Sequence, residues 1–322
     1  VGVVSLFINA GAHQPPQWQL FLAIAVIGIF DTFAGFLGTL VFVIGSLIMG
    51  AGSDINDVRM LLGVVIVGYG PALLANAFRA FRRVPDEEDS YWWERIIDLA
   101  VLPFIAGWST SAMISTLPAL AGVTLSVANH VNDFALAVAA AVAIRVVAEE
   151  AVARVAPRRL DRLHPTVVAE TVPIQKWTSV ALRLATFVFV TAALMGEDWR
   201  VVVGSILFVL PTVIGFYAER FPNFPWIWRI MPTGVPGLAL TLIVATLTTE
   251  LVNSWFGPTA DLVYWSFALL PIPMLALSLL GMIGRHGNDG EVRLLRRPGF
   301  AWIYRIGGVV MFIVTLKLAG II

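Results

Sequence analysis

The sequence predicts an all-α polytopic membrane protein of about nine transmembrane helices, and three observations carry that prediction. Its residues are 58% apolar and only 13% charged, about half the charged share of a soluble domain, and its mean hydropathy is +0.85. The apolar residues fall in runs long enough to cross a hydrocarbon core of about 30 Å as helices of roughly 20 residues. The basic residues gather on every second connection between those runs, as the positive-inside rule requires of cytoplasmic loops. A soluble enzyme and a disordered tail are excluded by this composition. The 21 basic and 21 acidic residues cancel, so no basic face is left for nucleic acid, and no nucleic-acid partner is expected.

The expected spans are 18–50, 59–81, 96–121, 128–153, 177–195, 199–219, 231–253, 261–284 and 302–321. The first is anomalous. Its 33 residues would reach about 50 Å as one helix, so it tilts, projects from the bilayer or breaks near Asp31 to Gly38, where Gly35 and Gly38 tolerate a break; ten segments is the alternative count. Pro71 lies inside the second span, Pro103 and Pro118 in the third, Pro211 in the sixth, and Pro232, Pro236, Pro271 and Pro273 in the seventh and eighth. Prolines kink membrane helices and suit segments that move or line a ligand path. Trp18, Trp92, Trp93, Trp177, Trp199, Trp226, Trp228, Trp255 and Trp302 stand near expected helix ends, as interfacial anchors do.

Sixteen of the 21 basic residues flank four connections: Arg79 to Arg95, Arg154 to Lys176, Arg220 with Arg229, and Arg285 to Arg305. The opposite connections carry Asp54, Asp57, Glu197 and Asp198 with only Arg59 and Arg200. The four basic connections are therefore expected in the cytoplasm and the C-terminus outside. The abundance of Arg, Ala, Val and Gly points to a GC-rich bacterial genome, hence the cytoplasmic (inner) membrane. Val1 to Ile8 lacks a basic lead and a cleavage-like end, so no signal peptide is expected. Cysteine is absent, which excludes disulfides and thiol chemistry.

An internal duplication is expected to organise the chain, the alternative being that apolar helices of small alphabet align by chance. Thr39 to Val43 and Thr186 to Val190 both read Thr-x-Val-Phe-Val; Pro71 aligns with Pro211, Arg95 and Ile96 with Arg229 and Ile230, and Asp133 with Asp261. Each copy holds four helices, an even number, which predicts two parallel repeats about an axis along the membrane normal. The expected organisation is an N-terminal segment with the start of the long first helix (1–29), a first four-helix repeat (30–157), a basic cytoplasmic linker (158–176), a second four-helix repeat (177–284), a basic loop (285–301) and a C-terminal helix (302–322).

Ionisable groups at membrane depth are costly and are functional candidates. Asp31 and Arg183 lie deepest, and Arg183 is expected to pair with Asp98 or Asp31. The third and seventh helices carry Ser109, Ser111, Ser115 and Thr116 against Thr246, Thr249 and Glu250, groups that either bond between helices or line a wet cavity. These ten residues form the expected polar path. Asp133 and Asp261 are expected as helix caps. No catalytic, cofactor-binding or metal-ligating residues are expected: His13, His130, His164 and His286 show no metal spacing, and Gly68 and Gly70 stand before Pro71 inside a helix, not in a dinucleotide loop. The acidic stretch Asp86 to Asp89 reads as a solvated connection.

Residues Glu149 to Arg154 have the form Glu-Glu-x-x-x-Arg. The motif resembles the first motif of the CAAX-processing and bacteriocin-immunity intramembrane proteases, in which a glutamate and later histidines serve a metal-dependent or water-activating site. The resemblance implies an intramembrane enzyme with Glu149 or Glu150 as its acid. It covers six residues, and the family's Phe-x-x-x-His pattern is not matched, since Leu160 and Met282 stand four places before His164 and His286. A charged helix end with Glu and Arg paired at i,i+4 or i,i+5 explains the same residues. The functional expectation is a transport-type membrane protein, either a permease or the translocating or anchoring subunit of a larger complex. The alternatives are a scaffold or assembly subunit without a path, and the protease-like enzyme. Expected partners are membrane lipids and other subunits or further copies of the chain.

Overall fold

The longest apolar stretch breaks at Asp31, whose backbone N–H closes the helix before it and whose carboxylate caps the helix after it. A computed structural model of the chain describes residues 15–79, 92–155, 173–232, 235–257, 259, 261–294, 297, 300 and isolated positions from 302 to 317. The described residues are helical or irregular, with no strand among them, and they divide into two units, Val1–Val168 and Ala169–Ile322.

In the first unit, α1 (Trp18–Phe30) and α2 (Thr32–Ile48) replace the expected single helix over 18–50. Asp31 between them is extended, at φ −132° and ψ 99°. Its backbone N–H still donates to the Ile27 carbonyl at 2.8 Å, closing α1. Its carboxylate accepts from the Phe33 and Ala34 amides at 3.0 and 3.2 Å, capping α2. The chain then reverses: a Cβ at Gly35 would meet the Gly28 Cα, and one at Gly38 would meet the Ile24 side chain. α1 and α2 are thus an antiparallel hairpin, a contact that small residues permit.

Three longer helices follow: α3 (Ile55–Arg79) and α5 (Val131–Val155), which pack on the hairpin, and α4 (Trp92–Ala121), which packs on α3 and α5; α5 is entered through a 3-10 turn at Ser126–His130. Gly50 and Gly52, at φ 99° and 105°, make the turn into α3, and Asp57 accepts the Gly52 amide at 3.2 Å. α4 and α5 pair closely, with Gly107 seated on Ala135 and Ala139. The core holds Phe21, Phe42, Leu102, Ile114 and Phe134. The start of α1 is tied to the start of α5: Ser126 Oγ donates to the Pro16 carbonyl, and Trp18 stacks on His130 at 4.6 Å. Gly63, early in α3, lies against Leu125, so both ends of 18–50 are at one end of the unit. The segment runs out and back within the unit, with the break at Asp31 that the sequence allowed between Asp31 and Gly38.

The second unit comprises α6 (Pro173–Met195), α7 (Trp199–Gly215), the short α8 (Pro225–Ile230), α9 (Val235–Phe256), α10 (Leu262–Leu269) and α11 (Pro271–Ile283). α7 is central, packing on α6, α10 and α11, and Gly204 admits the Phe267 ring. Pro271 divides the expected span 261–284 without ending it, because Leu270 stays helical and donates to the Ser266 carbonyl at 2.9 Å. At the far end, Asn223 accepts the Arg285 and His286 amides at 3.0 and 3.2 Å.

Among the described residues, five helical stretches are long and apolar enough to cross a membrane: Ile55–Ala77, Asp98–Pro118, Ser126–Val152, Ile174–Met195 and Leu262–Ile283. Trp18–Phe30, Thr32–Ile48 and Trp199–Gly215 are apolar but shorter. Their outer faces expose Phe33, Leu136, Ile144, Leu182 and Phe189, a surface suited to lipid. By length and composition these helices are those of a multi-pass membrane protein. The expected helix 302–321 is described at isolated positions, which are helical; the rest of it, the acidic loop 84–90 and most of the linker 158–176 lie outside the described residues.

Candidate functional site

A helix break exposes backbone groups that water would satisfy at a surface and that protein must satisfy at depth. At the α1–α2 tip the two sides of the break are satisfied differently. Asp31 serves the amides of α2. The carbonyl side is served from α5: Arg145 Nη1 donates to the Ile29 carbonyl, while its Nε donates to Glu149 Oε1 at 2.9 Å. Arg145 is 5% exposed. Its guanidinium therefore couples the end of one helix to a carboxylate one turn along another, a charge-assisted arrangement.

The depth of this tip follows from neighbouring helices. A Cβ at Gly28 would meet the Ala72 Cβ at 2.8 Å, and α3 continues seven residues beyond Ala72 to Arg79, about 10 Å at 1.5 Å per residue. α5 continues ten residues beyond Arg145 to Val155, about 15 Å. The hairpin thus stops short of the far end of the helices around it. α4 runs antiparallel to α5 with Gly107 opposite Ala135 and Ala139, a register that puts Asp98 level with Arg145 and Glu149.

Of the ten sequence candidates, the structure brings Asp31 and Asp98 to one depth. Asp31 is exposed and Asp98 half-buried. Ser109 and Ser111 are half-buried higher in α4, and Ser115 and Thr116 are exposed towards its end. In the second unit Arg183 is exposed on α6, Thr246 is half-buried, and Thr249 and Glu250 are exposed on α9. The threonines bond mainly within their own helices: Thr110 to the Ala106 carbonyl at 2.7 Å, Thr116 to Ala112 at 2.8 Å, Thr248 to Val244 at 2.7 Å and Thr249 to Ala245 at 3.0 Å. These are i−4 back-bonds, where bonds between helices or to a cavity were expected.

Arg145 is the residue the sequence reading left without a role. Its signal was present: a basic residue four places before an acid in an otherwise apolar helix. Within the Glu-Glu-x-x-x-Arg motif, Glu149 bonds backwards to Arg145; the Arg154 side chain and His164 lie outside the described residues. Among the described residues no three His, Asp or Glu side chains are grouped to hold a metal.

The second unit has its own charged cluster, at the end where α7 and α10 begin. Arg200 donates to both oxygens of Asp198, at 2.9 and 2.7 Å, and to Asp261 at 2.8 Å. Its guanidinium also lies over the Tyr264 and Trp265 rings, at 4.9 and 5.4 Å. Asp261 was expected to cap its helix; its carboxylate instead goes to Arg200. The hydrogen bonds from Arg200 hold the Asp198 carboxyl down at about 2, below its ordinary 3.8. A depressed carboxyl stabilises the fold above its unfolded value and loses that contribution as pH falls through the folded value. The thermal midpoint of the wild-type protein should therefore fall between about pH 4 and pH 2, and Asp198→Asn should flatten that part of the profile. An Asp198→Asn profile with the wild-type slope would refute the assignment.

Comparison with protein-family models, curated proteins and solved structures finds no match to this chain. The functional argument rests on the chain's own geometry.

Proposed function

We propose that the chain is a transport-type component of a bacterial inner membrane, a permease or the translocating subunit of a larger complex, with the α1–α2 tip on its path. One observation carries this reading: the polypeptide breaks its helix at Asp31, three residues past Gly28 and so about 6 Å short of Arg79 at the described end of α3, and leaves the Asp31 carboxylate exposed there. Irregular backbone at membrane depth is tolerated where protein covers it or where it lines water, and an exposed carboxylate favours water. Asp98, level with the tip, extends the polar zone towards the basic connections, which this reading puts in the cytoplasm. Ser109 and Ser111, half-buried further along α4, continue it.

The test is flux in liposomes reconstituted with the purified protein, using a panel of radiolabelled small cations, anions and amino acids. Asparagine caps helices as well as aspartate does, so Asp31→Asn removes the charge and keeps the turn. Flux of any transported solute should drop at least tenfold while the protein remains monodisperse. Undiminished flux through Asp31→Asn would remove the tip from the path.

A second reading, an assembly or anchoring subunit, has its own support in the second unit. Half of the Ile55–Ala77 span is buried within the protein, against 22% of Ile174–Met195 and 11% of Leu262–Ile283. Helices so little covered by their own chain suit lateral association with other subunits or another copy. Mass measurement of the gently extracted complex separates a multi-subunit assembly from an autonomous permease.

A further inference from the structure

We propose that Arg145 is a latch that holds the α1–α2 tip closed across the path, a regulatory role that rests on the transport reading. The mechanical argument starts from how α1 is fastened. Its outer end is fixed twice, by the Ser126 bond to Pro16 and the Trp18 stack on His130. Its length packs Phe21, Ile24 and Ala25 into the core. Displacement therefore concentrates at the tip, where one extended residue, Asp31, joins the two helices.

At the tip α1 meets α3 through small groups, Gly28 against Ala72, and within a turn of them the Phe36 ring of α2 lies 5.7 Å from that of Tyr69. A polar contact there is the Arg145 bond to the Ile29 carbonyl. That guanidinium is shared with Glu149, which belongs to the same helix as Arg145 and keeps it when the tip moves. Arg145 can thus release the carbonyl without losing its counter-charge. The buried Ile29 side chain makes the closed position the resting one, since opening exposes it. In this arrangement Arg145 is a positioning residue: it acts on the path through the backbone of α1.

A thiol reporter reads tip position without any transported solute, and the chain's lack of cysteine removes background. Thr32→Cys puts a near-isosteric thiol at the first residue of α2. Labelling by a membrane-impermeant maleimide, added to proteoliposomes from the Arg79 side, should be slow in this parent. Adding R145Q should speed it at least tenfold, and R145K about threefold, because lysine offers a point charge and not the two-way fork. Adding E149Q should leave the rate at or below the parent's, since the guanidinium then has less to draw it from the carbonyl. Equal acceleration by E149Q and R145Q would make the pair a structural lock and overturn the latch; so would unchanged labelling in R145Q or, should R145Q fail to reach the membrane, in R145K. Fast labelling in R145Q vesicles without flux of any solute would keep the latch and sink the transport reading.

Discussion

Arg145→Leu is expected to lower the stability of the first unit by about 3–5 kcal/mol, the cost of breaking a buried ion pair from one side. Arg145 is 5% exposed and lies 2.9 Å from a Glu149 oxygen on a side chain that is 20% exposed. Leucine deprives that carboxylate of this cation and the Ile29 carbonyl of this donor, in surroundings where water is a poor substitute. The two losses separate in a cycle. Arg145→Leu with Glu149→Leu removes both charges, and apolar replacement of a whole buried pair is often close to neutral. What then remains is the carbonyl, about 1–3 kcal/mol. Thermal unfolding in mild detergent, followed by circular dichroism, measures each corner. A double variant as unstable as the single one would show that the carbonyl, and not the charge pair, dominates; a single variant as stable as the parent would remove Arg145 from the structural argument altogether.

What could be read from the sequence tracks what is local. Helix positions follow apolar runs and their punctuation, so the expected 59–81 and 177–195 correspond to Ile55–Arg79 and Pro173–Met195, with ends displaced by a turn where Asp57 and Pro173 extend the start. The break at Asp31 was legible as arithmetic, because 33 residues exceed the bilayer as one helix. The reversal of the chain was not, since it depends on which residues face Gly28 and Gly35 from elsewhere in the sequence. Arg145 shows the same limit: its acid lies four residues away and was visible, whereas its second partner is a backbone carbonyl 116 positions distant. Serine and threonine stripes are ambiguous for another reason. A hydroxyl in a helix can always turn back to its own i−4 carbonyl, so the pattern that suggests a path also arises from side chains that serve only their own helix.

Gly35 and Gly38 read alike in the sequence, and the structure predicts opposite results for them. A Cβ at Gly35 would lie 2.4 Å from the Gly28 Cα, a backbone atom that no rotamer change can move aside. One at Gly38 would lie 3.7 Å from the Ile24 side chain, ordinary van der Waals contact. Both positions are inside α2, so both gain helix propensity on becoming alanine, up to about 1 kcal/mol. At Gly38 that gain stands nearly alone, and Gly38→Ala should raise the thermal midpoint slightly. At Gly35 it is outweighed by overpacking, about 1–3 kcal/mol for alanine and the upper end of that range or beyond for valine. The hairpin can relieve the clash only by parting α1 from α2, and α1 cannot retreat freely because Gly28 already sits on Ala72. Gly35→Val should therefore unfold at markedly lower temperature than Gly38→Val. Equal losses at the two sites would mean that the hairpin does not pack through Gly28 and Gly35, and the depth assigned to Asp31 would fall with it.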